Sequence, residues 1–167
     1  MRVLIAYASK RGGTQGIAED LQAAMVERGV DADAMSVERA TSVKDYDSVV
    51  VGSALYMYHW RRAAVRFVRR NSRALSSKPV WFFSSGPLDD SAIETEIPPI
   101  KKVQGLMDRI GARGHVTFGG RLTPDAKGFP ASAMAKKTSG DWRGADQIRG
   151  FANSVVDALE GAVRPTS

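Results

Sequence analysis

The sequence predicts an α/β fold: a five-stranded parallel sheet of order 2-1-3-4-5 with helices on both faces. Three observations carry this expectation. Short apolar runs of strand length alternate five times with segments whose apolar residues recur at three and four positions, and such alternation implies right-handed βαβ units. The run Ser48-Val49-Val50-Val51-Gly52 is apolar through its centre, as a strand covered on both faces must be. A small, glycine-bearing turn joins the first strand to the first helix, at the carboxyl edge where doubly wound sheets take their ligands.

Taken in order, Val3-Leu4-Ile5-Ala6-Tyr7 is the first strand and Ser9-Lys10-Arg11-Gly12-Gly13-Thr14 the turn. Ile17, Leu21, Ala24 and Met25 then mark one helix face. Thr14 suits an N-cap, its hydroxyl accepting from an orphan backbone N–H, and Gly29 suits a left-handed helix end. Asp31 to Val37 alternates as a second strand, and Asp45-Tyr46-Asp47 turns into the third at Ser48 to Gly52. Ser53 to Trp60 reads as a loop, followed by a helix from about 61 to 74. Pro79 to Ser84 is the fourth strand, Asp89 to Pro98 an acidic loop, and Ile100, Val103, Met107 and Ile110 a helix face. Gly114 to Gly120 is the fifth strand. The stretch 121–144 lacks periodicity, and Ile148, Phe151, Ala152, Val155 and Leu159 mark the last helix. One domain over 1–163 with a tail at 164–167 is expected.

Composition narrows the chemistry. With no cysteine in the chain, disulfides, thiolate metal sites and a cysteine nucleophile are excluded. A net charge of +6 favours anionic partners such as nucleic acid, lipid headgroups or carboxylate substrates. No apolar stretch reaches the length of about 18 residues that spans a bilayer, and the first apolar run is too short for a secretory leader, so a cytoplasmic protein is expected. Asp89, Asp90, Glu94 and Glu96 match no metal-ligand spacing and read as a solvated loop.

The first turn has a chemical consequence. A helix start presents unpaired N–H groups and the positive end of its dipole, and Gly12 and Gly13 let an anion reach the backbone. The hydroxyls of Ser9 and Thr14 add donors, and a monophosphate is the natural occupant. G-x-x-x-x-G-K-[ST] is absent, and Gly12, Gly13 and Gly16 do not make G-x-G-x-x-G. Three loops should meet at the switch point: Ser9 to Thr14, Ser53 to Trp60, and Ser84 to Leu88. Their candidate ligand residues are Ser9, Lys10, Arg11, Gly12, Gly13 and Thr14; Ser53, Ala54, Leu55, Tyr56, Met57 and Tyr58; and Ser85, Gly86, Pro87 and Leu88. The aromatic and thioether groups of the second loop suit a flat, conjugated ligand, because offset stacking adds about 0.5–1.5 kcal/mol per pair.

At these residues the chain resembles the flavodoxin family, whose T/S-x-T-G-x-T phosphate loop is similar to Ser9-Lys10-Arg11-Gly12-Gly13-Thr14 at Ser9, Gly12 and Thr14. Within the family, Gly52 to Trp60 and Ser139-Gly140-Asp141-Trp142-Arg143 resemble the menaquinone-dependent protoporphyrinogen dehydrogenase group. The resemblance implies a flavodoxin-like three-layer α/β/α sandwich that binds FMN non-covalently, the phosphate on the first loop and the ring between the second and third. It implies a quinone or porphyrin as reaction partner and two-electron oxidoreductase chemistry. Two departures matter. Flavodoxin electron carriers are generally acidic, whereas this chain is basic. They also commonly place a glycine in the second loop, and none stands between Ser53 and Ser85. That shifts weight from a one-electron carrier toward a two-electron flavoenzyme or a deazaflavin coenzyme, the alternative cofactor.

Arg61, Arg62, Arg66, Arg69, Arg70 and Arg73 form a run with no acidic residue among them. The run suits a solvated helix face, or a landing face for an anionic membrane surface or for porphyrin propionates, with Arg61 and Arg62 nearest the substrate. His59 is the candidate for proton transfer, and His115 reads as structural. Lys136-Lys137 and the stretch to Arg143 suit a flap over the site. A phosphoacceptor signalling domain is disfavoured, because its acidic pair, Asp and Lys positions hold Ser9-Lys10, Ser53 and Gly119-Gly120. Nucleic-acid binding on the arginine run is the weakest of the anionic alternatives.

Overall fold

A computed structural model describes residues 1–10, 12–87, 89–122, 140–141 and 143–163. Arg11, Leu88, Lys136, Lys137, Ser139, Trp142 and the tail lie outside the described residues, as does most of the expected flap. The strands are β1 (Arg2–Ala8), β2 (Asp31–Ser36), β3 (Ser48–Tyr56), β4 (His59–Trp60), β5 (Val80–Ser85), β6 (Gly114–Phe118), β7 (Arg121–Leu122) and β8 (Gly140–Asp141). The helices are α1 (Gly13–Glu27), α2 (Arg62–Arg70), α3 (Ser72–Leu75), α4 (Ser91–Glu94), α5 (Lys101–Ile110) and α6 (Ala145–Val163).

The main sheet runs β2-β1-β3-β5-β6, every neighbour parallel. That is the expected order once β4, a two-residue strand antiparallel to β3, is set aside. β7 and β8 pair separately. Side chains alternate between the two sheet faces. Leu4, Val49, Val51, Val80 and Phe82 pack with Phe67 and Val68 of α2 and with Val103 and Leu106 of α5. Val3, Ile5, Val50, Trp81 and Phe83 pack with Ile17 and Leu21 of α1 and with Ile148 and Val155 of α6. The result is three layers, with the central strands buried on both faces.

Four expectations are corrected. Thr14 does not cap α1: Gly12 takes the N-cap position at φ 83°, with no side-chain cap bond among the described residues. Thr14 instead lies inside the first turn, buried. The stretch Ser53 to Trp60 is no loop: β3 continues to Tyr56 and folds back as β4. The expected helix over 61–74 breaks at Asn71, whose side-chain amide donates to the Phe67 carbonyl at 2.9 Å, a local bond that competes with helix continuation. The acidic segment holds the single turn of α4. Gly29 has φ 80°, as a left-handed helix end requires.

The tightest fit in the sheet is between β3 and β5. A Cβ at Gly52 would stand 1.9 Å from the Phe83 ring, which fills the place of the missing side chain. Gly52→Ala should therefore cost about 1–3 kcal/mol by overpacking. Gly150→Ala in α6, where a Cβ meets nothing, should be neutral or stabilising by up to about 1 kcal/mol. Urea midpoints at unchanged m-value check both.

Candidate functional site

The register of the sheet brings three chain segments to one edge. Ala8 at the end of β1 is level with Ser53 of β3, Ser53 with Ser84 of β5, and Ser85 with Phe118 of β6. The first loop leaves β1 here. Ser9 Oγ accepts from the Gly12 amide at 3.2 Å and so closes the loop on itself. Gly12 has open space around its would-be Cβ, so the glycine answers the left-handed backbone rather than crowding. Lys10 is exposed. Thr14, 1% exposed, lies 3.3 Å from Ser85 Oγ, hydroxyl to hydroxyl, and ties the first turn of α1 to the end of β5.

The second segment is a two-residue β-hairpin. Leu55 pairs with Trp60 and Tyr56 with His59, leaving Met57 and Tyr58 as the turn. Both are left-handed, at φ 51° and 64°. This is the backbone of a type I′ turn, which favours Asn-Gly, and a bulky residue in it costs about 1–2 kcal/mol. Met57 (68% exposed) and Tyr58 (85% exposed) form a thioether and aromatic tip, with Tyr56 39% exposed at its base. Ser53 Oγ accepts from the Arg61 amide at 2.9 Å and ties the base of the hairpin. Trp60 turns inward: it is buried, its ring lies 5.0 Å from Phe82, and its Nε1–H donates to Ser84 Oγ at 2.8 Å. It belongs to the core.

The third segment is held against the second. A Cβ at Gly86 would stand 2.9 Å from Leu55 Cβ, so the glycine permits the close approach. The Gly86 amide donates to the Phe118 carbonyl at 3.1 Å, and the Gly120 amide to the Pro87 carbonyl at 2.7 Å. Ala54 and Leu55 are half-buried beside it. The structure thus brings together Ser9, Gly12, Gly13 and Thr14, then Ser53 to Leu55, then Ser85 to Pro87. Tyr56 to Tyr58 project from that edge into solvent.

His59 is exposed where the hairpin turns back. Arg61 precedes α2, and Arg62, Arg66, Arg69, Arg70 and Arg73 are exposed along the helices that follow. None of the six makes an ion pair among the described residues. His115 is held inside: Nε2 lies 2.9 Å from Ser84 Oγ, Nδ1 is buried with no partner among the described residues, and burial pushes its pKa down to about 4.

Two features escaped sequence reasoning. The Trp60–Ser84–His115 chain depends on strand register. The second is Arg143, just ahead of α6, whose guanidinium lies against Gly16 of α1 and is held by Asp141. No local sequence pattern signals that contact. A cleft lined by Ile93, Glu96, Val116, Thr117 and Gln147 opens beside β6 and includes none of the three loops' residues. Among the described residues no cluster of three acidic, histidine or cysteine side chains could hold a metal, and no helix is long and apolar enough to cross a membrane.

A parallel sheet of this order, with a glycine-opened helix start at the switch point, defines a flavodoxin-like protein. The flavodoxin domain model matches residues 4–134, and the chain belongs to that family of flavin-binding redox proteins. The chain is 33% identical over 86 residues to the protoporphyrinogen IX dehydrogenase [quinone] of Escherichia coli K12. That alignment takes in 50% of this chain and 48% of the relative, so about half the length of each is matched. Among solved structures, oxidised flavodoxin 2 of Bacillus cereus aligns with TM-score 0.61 at 20% identity, covering 95% of this chain and 99% of that one. The rubredoxin oxygen:oxidoreductase of Desulfovibrio gigas aligns with TM-score 0.68 at 13% identity, covering 98% of this chain and 37% of that one. At these identities the structural likeness shows the fold.

Two measurements follow from the geometry. Tyr58→Gly should stabilise the ligand-free protein by about 1 kcal/mol, because glycine relieves the left-handed turn; thermal unfolding reads this. The depressed His115 pKa makes the unfolded chain the better proton binder between its ordinary 6.5 and about 4. Stability should therefore fall as pH drops through that window and be complete above it. His115→Gln should flatten the slope in urea titrations at stepped pH.

Proposed function

We propose that the protein, acting as one domain over 1–163, binds FMN non-covalently at this edge and works as a two-electron oxidoreductase of the protoporphyrinogen dehydrogenase type. One observation carries the reading. A left-handed glycine opens a helix start that has no side-chain cap among the described residues, beside a hairpin whose tip exposes Met57 and Tyr58. The donor set fits a phosphate. Loop amides and the hydroxyls of Ser9 and Thr14 donate, and the positive helix end favours the charge. The neutral, partly apolar walls of Leu55, Tyr56, Gly86 and Pro87 fit a flat ring. FMN, when bound, supplies the electron and hydride chemistry, while the chain supplies position and electrostatics.

The remaining residues divide the work. Ser53 and Trp60 brace the hairpin from inside, so that Tyr56 and Tyr58 present their rings outward. Arg61 and Arg62 offer cationic groups beside it to an anionic substrate, which the curated relative's name suggests is a porphyrin, with a quinone as the second partner. His59 stands on the same hairpin within reach of a substrate proton. The lack of glycine at Met57 and Tyr58 disfavours a peptide rearrangement with redox state and so favours two-electron exchange.

Purified protein should show a flavin absorbance spectrum, and stripped protein should take up FMN in a saturable titration. Gly12→Asp places a carboxylate at the phosphate position and should weaken FMN by about a hundredfold or more. Colourless protein that takes up no FMN overturns the proposal.

A further inference from the structure

The helices on the two sides of the sheet carry opposite charge. On one side, α2 holds four arginines, α3 one, and α5 three basic residues with a single acidic one, Asp108. On the other, α1 and α6 hold three acidic residues each, against one arginine, Arg149. The two sets lie on opposite faces, because α2 and α5 pack in one core layer and α1 and α6 in the other. Charge is thus polarised across the sheet.

The two sides also differ in pairing. On the acidic side Glu27 pairs with Arg149, and Asp157 and Glu160 pair with Arg28. On the basic side Arg66, Arg69, Arg70, Arg73, Lys101 and Lys102 are exposed, and none makes an ion pair among the described residues. Asp108 of α5 accepts from Gln104 at 2.9 Å instead. The four arginines recur at three and four positions and so form one stripe across the break at Asn71, with like charges in repulsion. Packing requires these outward positions to be polar, not uniformly cationic.

The stripe runs back to the hairpin of β3 and β4, which Trp60 seats in the same core layer as α2. The hairpin tip holds Met57 and Tyr58 in water and in left-handed backbone. Charges spread along the neighbouring helices α2, α3 and α5 suit an extended surface rather than one small anion. Arginine forks match phosphate oxygens in pairs. A thioether beside a phenol suits the boundary between headgroups and acyl chains.

We propose that the face formed by α2, α3 and α5 docks the protein on an anionic lipid bilayer, with Met57 and Tyr58 entering the headgroup layer at its rim. The acidic side of α1 and α6 then faces water. Arg61 and Arg62, closer to the hairpin, remain with the substrate. The assignment does not depend on the flavin reading and holds equally for colourless protein.

The full chain is sedimented with vesicles of phosphatidylcholine and phosphatidylglycerol in equal parts, and with vesicles of phosphatidylcholine alone. It should bind the first and not the second, and raised salt should release it. Arg69→Gln with Arg73→Gln should weaken binding about twentyfold, since each basic residue near such a surface adds roughly fivefold. Arg28→Gln with Arg149→Gln removes equal charge from the opposite side and should change binding by less than about threefold. Met57→Ser should weaken it about threefold with the salt dependence unchanged. Thermal unfolding checks that each variant is folded. Equal binding to both kinds of vesicle overturns the proposal, and so does equal weakening by the two charge-matched pairs, the mark of net charge alone. Absence of vesicle binding overturns it as well. Retention on duplex DNA that Arg69→Gln with Arg73→Gln abolishes would then assign the face to nucleic acid. Concentration-dependent self-association lost in the same variant would assign it to the acidic side of a second copy.

Discussion

The place where Phe83 fills the missing side chain of Gly52 governs much of this molecule. It lets two central strands lie flush while a large ring crosses between them. From Phe83 the aromatic contact continues to Phe118 at 5.9 Å and from Phe118 to Phe151 of α6 at 5.9 Å. Such tilted and edge-on pairs stabilise beyond simple burial. The line of rings therefore fixes the last helix on the sheet. The same strand, β5, ends in Ser84 and Ser85, which reach Trp60, His115 and Thr14. A steric allowance at one residue is thus connected to the hairpin, the first loop and the α6 start.

The walls at the edge are lined with hydroxyls rather than charges. Thr14, Ser53, Ser84 and Ser85 are all buried. A hydroxyl both donates and accepts and rotates to suit: Thr14 and Ser85 partner each other, Ser84 meets Trp60 and His115, and Ser53 meets the Ala54 carbonyl and the Arg61 amide. A buried carboxylate or ammonium at the same places would carry a large desolvation cost whenever its partner was absent. The formal charge stays at the margins, on Lys10, on the arginines of α2, and on the paired Arg143 and Asp141.

Legibility in the sequence follows the range of the interaction. β1, the centre of β3, β5 and α6 were readable because their periodicity is local and both faces or one stripe must be apolar. The first turn was readable as a glycine-bearing break between two local periods, and the left-handed backbone at Gly12 came with the structure. The hairpin was hidden, since Met57-Tyr58 lacks the Asn-Gly pair that announces a type I′ turn. Thr14 obeyed the rule for a cap in type but not in place: its hydroxyl found a partner in Ser85, 71 positions on. The break at Asn71 was equally obscure, because its signal is a side-chain bond to the Phe67 carbonyl that no sequence period announces. The seat of Arg143 on Gly16 joins residues whose proximity no local pattern encodes.

The arginines of α2 are accounted for in part by packing. Ala64, Val65, Phe67 and Val68 face inward, which obliges Arg62, Arg66, Arg69 and Arg70 to face out. Packing does not account for the absence of acidic neighbours. Like charges at helical spacing repel by a few tenths of a kcal/mol per pair, and a glutamate at any exposed position would relieve that. Arg69 and Arg70 gain from the negative end of the helix dipole, but Arg62 stands at the positive end and loses by it. The hairpin next to it holds two side chains in left-handed backbone and leaves them in water. Two adjoining elements therefore each keep an unfavourable feature that folding alone does not require. A single anionic, partly aromatic partner lying across both would meet the unpaired cations and the exposed rings together, and under the proposed function the substrate side of the site is the junction of β4 and α2.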